Sequence, residues 1–97
     1  MEREMIRALT KNETDKLIER RIEPYPDPVK RGDAWVRLKE RGVPVYAIIG
    51  SMTPTFDNAD DVADAFAVSR EAVGAARAYY QQHTEAIDSR LAANPAA

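Results

Sequence analysis

The stretch Asn58-Ala59-Asp60-Asp61-Val62-Ala63-Asp64-Ala65-Phe66-Ala67-Val68-Ser69-Arg70-Glu71-Ala72-Val73-Gly74-Ala75-Ala76-Arg77 decides how this chain folds. Asn58 is a helix N-cap, and Asp60 and Asp61 fall in the first turn, where the helix dipole favours carboxylates. Val62, Ala63 and Phe66 supply one apolar face, which predicts a helix over 59–66. Ser69 is the next N-cap, and Val73, Ala76 and Tyr80 recur at 3–4 spacing behind it, which predicts a second helix from Arg70. Two helices separated by about three residues make a candidate helix-turn-helix. Such a motif needs a small residue where the helices cross, apolar residues on both sides of the turn, and an apolar seat for the second helix. Ala63 is the small residue, Phe66 and Val68 flank the turn, Ala67 stands where Gly is commonest, and Val73 and Ala76 are the seat. An ordinary helical hairpin packed through the same residues fits the bare pattern as well.

Outward from this stretch, the apolar stripe of the second helix continues as Ile87 and Leu91, so the expectation is one long helix through at least His83 and on to about Leu91, ended by Asn94-Pro95. Upstream, Ala34-Trp35-Val36-Arg37-Leu38 suits a strand, Lys39 to Gly42 a turn and Val43-Pro44-Val45 a short second strand, which together predict a small β-hairpin. Pro44 lacks the N–H a ladder needs, so that strand must lie at an edge or stop there, and Pro44 also suits the first turn of a following helix. Tyr46 to Ile49 reads as a short helix ending near Gly50 or Met52, and Thr53 to Asp57 as a loop. Met5, Leu9, Leu17, Ile18 and Ile22 form an apolar series at helical spacing. Thr10 and Glu13 make a capping box that starts a helix over Lys11 to Arg21. Pro24, Pro26 and Pro28 then forbid helix and predict an extended connector. The expected organisation is a helix and Pro-rich connector over 1–33, followed by a β-hairpin and helix-turn-helix domain over 34–97. The fold class is mainly α with a small hairpin and a homeodomain-like core.

Composition narrows function. The 97 residues suffice for one domain. Val, Ile, Leu and Phe number 19 while Ala numbers 16, a thin core that favours burial against a partner, with a homodimer the first expectation. Without Cys there is no disulfide, thiolate metal site or cysteine nucleophile. No apolar run approaches the roughly 20 residues of a membrane span, and the start lacks the apolar region of a signal peptide, so the expectation is a cytoplasmic protein with no membrane partner. His83 is the only His, too little for a catalytic pair or a metal set. Asp57, Asp60, Asp61 and Asp64 lack the Gly and distant Glu of a calcium loop, and helix capping accounts for them better. No catalytic residue, metal or cofactor is therefore expected, and the chain does not read as an enzyme.

The net charge of −2 hides local fields, since residues 20–42 carry +3 and residues 54–72 carry −4. If residues 69–80 are a recognition helix, its outward face offers Ser69, Arg70, Glu71, Gly74 and Arg77 to bases or phosphates. Arg37, Lys39 and Arg41 from the hairpin are candidate DNA or dimer contacts. The alternative is that Arg70 and Arg77 pair with carboxylates of their own surface.

The segments Val36-Arg37-Leu38 through Val43-Pro44-Val45, Tyr46 to Gly50, Asp61 to Ser69, and Val73 to Asp88 with Ala78-Tyr79-Tyr80 and Glu85-Ala86-Ile87-Asp88 resemble the small prokaryotic domain-of-unknown-function 433 family. The resemblance runs from Ala34 to Arg90. Lys39-Glu40-Arg41-Gly42 departs from the family's Gly-Thr-Arg type of turn, and Thr53 to Asp57 departs from its short end of the first helix. The resemblance implies a β-hairpin plus helix-turn-helix domain and an antitoxin that binds operator DNA and neutralises a PIN-like ribonuclease toxin. A rival expectation is a protein–protein interaction module in which the helix-turn-helix is only scaffold. Trp35 on the hairpin, and Leu17 and Ile18 on the first helix, are the candidate partner contacts in either case.

Overall fold

The computed structural model describes residues 10–93; Met5, Leu9 and the expected helix stop at Asn94-Pro95 lie outside them. Within this span are five helices and two short strands: α1 (Lys11–Arg21), β1 (Ile22–Pro24), β2 (Val36–Leu38), α2 (Val45–Ser51), α3 (Ala59–Phe66), α4 (Arg70–Gln82) and α5 (Thr84–Ala92). The chain is thus mainly helical with a small antiparallel sheet.

Local chemistry accounts for most helix boundaries. The Thr10 hydroxyl accepts from the Glu13 amide at 3.1 Å, and the Glu13 carboxylate accepts from the Thr10 amide at 2.9 Å, so the capping box that starts α1 is closed in both directions. Pro44 precedes α2 in extended conformation, and its carbonyl accepts from the Ala47 amide at 3.1 Å. Asn58 and Ser69 cap α3 and α4 through their side chains.

The sheet pairs different segments from those expected. β2 runs antiparallel to β1, with Ile22 opposite Leu38, Glu23 opposite Arg37 and Pro24 opposite Val36. Lys39 donating to the Arg21 carbonyl and Tyr25 donating to the Trp35 carbonyl extend the ladder at its two ends. The expected 43–45 strand is reduced to one bridge, Arg37 with Pro44, and one hydrogen bond from Leu38 to the Val43 carbonyl. Pro44 has no amide to donate, and Val45 already belongs to α2. β1 instead offers Ile22, which the core takes in beside Val36 and Leu38.

α4 is the central helix, packed against α1, α2, α3 and β1. Its inward residues Ala72, Val73, Ala75, Ala76 and Tyr79 are buried, and the run of Ala lets its neighbours approach closely. Leu38, Val45, Ile48, Val62 and Ile87 are fully enclosed around it. Removing each from water stabilises the fold by roughly 1.5–3 kcal/mol before entropy is counted.

The single long helix expected from Arg70 to about Leu91 is broken at His83, whose backbone (φ −134°, ψ 42°) leaves the helical region. The His83 ring stacks on Tyr79 with centroids 4.2 Å apart, and its Nδ1 lies 3.5 Å from the Asp33 carboxylate. The Thr84 hydroxyl donates back to the Tyr80 carbonyl at 2.8 Å, competing with the regular ladder. The break redirects α5 so that Ile87 is buried and Leu91 reaches α2. A Cβ built on Gly50 would stand 2.9 Å from the Leu91 methyl, so Gly at 50 permits this close approach.

Candidate functional site

α3 and α4 are joined by Ala67, Val68 and Ser69. The reversal is made by Ala67 in the left-handed region (φ 57°, ψ 44°), the position at which Gly was expected to be commonest. The Ala67 and Val68 amides close the C-terminus of α3 by donating to the Ala63 and Asp64 carbonyls. Ala63 and Val62 are buried between the two helices, with Phe66 and Val68 partly buried beside the turn. The Ser69 hydroxyl then accepts from the Ala72 amide at 3.1 Å and starts α4.

Ser69 is also the anchor for a distant segment. Its amide donates to one Glu40 oxygen at 2.9 Å and its hydroxyl to the other at 3.0 Å. This two-pronged contact pulls the turn of residues 39–42 against the N-terminus of α4. Arg41 and Gly42 both take positive φ (62° and 65°) to make that turn. Lys39 and Arg41, on either side of Glu40, are exposed and have no ion-pair partner among the described residues. Arg37, expected beside them, is instead taken up across the sheet by Glu23, with Nε to carboxylate 2.8 Å.

The expected outward face of α4 divides in two. Arg70 is 71% exposed and forms a surface pair with Asp60 of α3 at 2.8 Å, a contact of the kind that contributes little in water. Arg77 donates to the Asp57 carbonyl. Gly74 lies between them, and a Cβ there would meet nothing within 4 Å. Arg70, Gly74, Arg77 and Gln81 follow helical spacing along one line, so Gln81, one turn beyond Arg77, belongs to this stripe. Glu71 points the other way, into α1: Arg21 Nε is 2.7 Å from its carboxylate and Arg20 Nη1 is 3.3 Å away. The Arg21 hydrogen bond, ahead of the charge of both arginines, holds the Glu71 carboxyl below the ordinary carboxylate range.

α1 therefore flanks the stripe. It has no fully buried residue. It is held by the Glu71 ion pairs, by Gln82 donating to Asp15 at 3.1 Å, and by Leu17 and Ile18, which are partly buried against the core. Trp35 is half-buried and meets Tyr25 and Tyr46 edge-on at 5.4 and 6.0 Å, with the Arg90 guanidinium 4.4 Å from its ring centre. Among the described residues, no group of three or more His, Asp or Glu side chains is placed to hold a metal ion, and no helix is long and apolar enough to cross a membrane.

The pairing of Arg70 with Asp60 is the surface alternative expected for that residue, whereas the Glu40 contact with Ser69 and the contacts of Arg20 and Arg21 with Glu71 carry no sequence signal. Glu40 and Ser69 are 29 positions apart and share no motif. Gln81 was within reach, one turn beyond Arg77. No protein-family profile, curated protein or solved structure matches the chain.

Proposed function

We propose that this chain is a cytoplasmic, DNA-binding antitoxin-like regulator that uses α3 and α4 as a helix-turn-helix, binds operator DNA as a homodimer and neutralises a PIN-like ribonuclease toxin. The antitoxin role rests on the resemblance to the domain-of-unknown-function 433 family. The DNA role rests on one observation: Glu40 gripping Ser69 brings a turn carrying two unpaired cations, Lys39 and Arg41, to the N-terminus of α4 beside Arg70. Phosphates are bound by clustered free cations; the Ser69 donors at the α4 N-terminus are already taken by the Glu40 carboxylate, so the cations rather than the helix end carry the contact. The stripe Arg70, Gly74, Arg77 and Gln81 then faces the groove, with Gly74 set in the cleft that Lys16 and Arg20 of α1 also line. In a dimer, two such helices read half-sites about 34–36 Å apart.

Fluorescence anisotropy against the chain's own upstream DNA and a scrambled duplex, at about 50 and 200 mM salt, tests this. Tighter binding to the upstream DNA at both salts is expected. Lys39→Ala with Arg41→Ala should weaken binding to both duplexes and lower the salt slope by about 2. Arg70→Ala should cost about 1–3 kcal/mol for the upstream DNA alone. Equal or absent binding refutes the DNA role. The rival module without DNA binding draws support from Asp60, which already neutralises Arg70, and predicts that outcome.

A further inference from the structure

The geometry points to a second interaction surface, the loop of residues 25–35, which fits an extended segment of a partner protein that carries carboxylates beside an apolar side chain. The loop is closed at its neck by Tyr25 donating to the Trp35 carbonyl at 3.1 Å, and Trp35 donates to the Gly32 carbonyl at 3.0 Å. Pro26 and Pro28 stiffen it. The Asp27 carboxylate accepts from the Val29 amide at 2.8 Å and fixes the tip. At that tip Val29 is 85% exposed, the one large hydrophobic side chain so exposed among the described residues.

The same loop forms an open cleft of about 350 Å³ lined by Tyr25, Trp35, Lys30 and Arg31 among others, with Val29 outside it. Lys30 sits 5.2 Å from the centre of the Trp35 ring. Neither Lys30 nor Arg31 has an ion-pair partner among the described residues. Asp27 is the only carboxylate lining the cleft and keeps its charge while accepting from the Val29 amide, so the lining carries a net charge of +1. A preformed loop with an uncovered apolar tip and an aromatic cleft whose lining carries two cations against one carboxylate complements an acidic, apolar segment, and its rigidity lowers the entropy lost on binding.

The surface lies at the far end of α4 from Ser69, because Tyr79 donates to the Asp33 carbonyl at 2.6 Å. About 15 Å of helix separates Ser69 from Tyr79. It is therefore independent of the DNA role: neither failure entails the other, and their readouts differ.

Trp35 is the only Trp in the chain, so its emission reports on the cleft directly. The protein would be titrated with a synthetic peptide of alternating Glu and Leu and with its Gln-for-Glu counterpart. A saturable change in Trp35 emission is expected, at least about tenfold weaker with the Gln peptide and in the Lys30→Glu, Arg31→Glu variant. Val29→Ser should weaken binding severalfold, with far-ultraviolet circular dichroism confirming that each variant is folded. Equal response to both peptides, or unchanged affinity in the charge-reversed variant, overturns the inference. So does a concentration-dependent dimer dissolved by Val29→Asp, because the occupant is then a second copy of the chain.

Discussion

Ala67→Gly should make this protein more stable although it removes a methyl group. Ala67 holds φ at 57°, a conformation that costs a residue with a Cβ about 1–2 kcal/mol. Glycine adopts it freely, at a cost of about 0.4–1 kcal/mol from the greater freedom of the unfolded chain. Ala67 is exposed, so no packing is lost. The net expectation is a gain of about 0.5–1 kcal/mol, or roughly 2–8 °C in Tm for a domain of this size. Ala67→Val should act oppositely, losing about 1–3 kcal/mol, because a β-branched side chain is strained there. Urea denaturation of both variants, with unchanged m-values, is the assay. A destabilised Gly variant together with a neutral Val variant would mean that the left-handed turn is absent in solution, and the α3–α4 geometry that depends on it would fall too.

Ile87→Ala, at a fully buried position, should cost about 2–5 kcal/mol in chemical denaturation, since the break at His83 serves to bring this side chain into the core. Ser69→Ala should cost about 1 kcal/mol from the lost cap, and a double-mutant cycle with Glu40→Ala should show a coupling of about 0.5–3 kcal/mol, whereas strict additivity would deny the Glu40 grip. Burial, and secondarily the Asp33 charge, push the Tyr79 phenol up to about 12 from 10. Its contribution is full below pH 10 and fades as pH rises through 12, so Tyr79→Phe should flatten the alkaline loss of stability followed by Tm against pH. The Glu71 carboxyl is held low by Arg21, so the Glu71 ion pairs hold α1 above the ordinary carboxylate range and release it as pH falls through the lowered value. Amide exchange in α1 should rise there, and Glu71→Gln should remove the effect.

The free and the occupied cations have different origins. Arg37 looked equivalent to Lys39 and Arg41 in the linear sequence, yet it is opposite Glu23 across the sheet. Arg20 and Arg21 suit the last turn of α1 by the dipole rule, and in the fold they also meet Glu71 about fifty residues on. A segment charge count records how many cations exist, whereas a binding surface depends on which ones lack a partner. The same separation applies to Ser69. Its capping of α4 follows from its residue type and position, and its hold on Glu40 does not.

The features legible in the linear chain are those written in short-range chemistry. The capping box of Thr10 and Glu13, the Asn58 and Ser69 caps, the apolar spacing of Val62, Val73 and Ala76, and the ban on helix at Pro24, Pro26 and Pro28 act within a few residues, and the helices start where these signals lie. Tertiary structure alone decided the partner of β2, the break at His83 and the docking of turn 39–42 on α4. A strand's open edge takes whichever segment can both donate hydrogen bonds and fill the core. The 22–25 segment does both, with Ile22 filling the core and the Tyr25 amide donating to the Trp35 carbonyl, whereas Pro44 lacks the amide. An apolar stripe specifies a helical face and leaves its continuity to the packing, so Tyr79, His83 and Asp33 settled at 83 what the spacing of Ile87 and Leu91 left undecided.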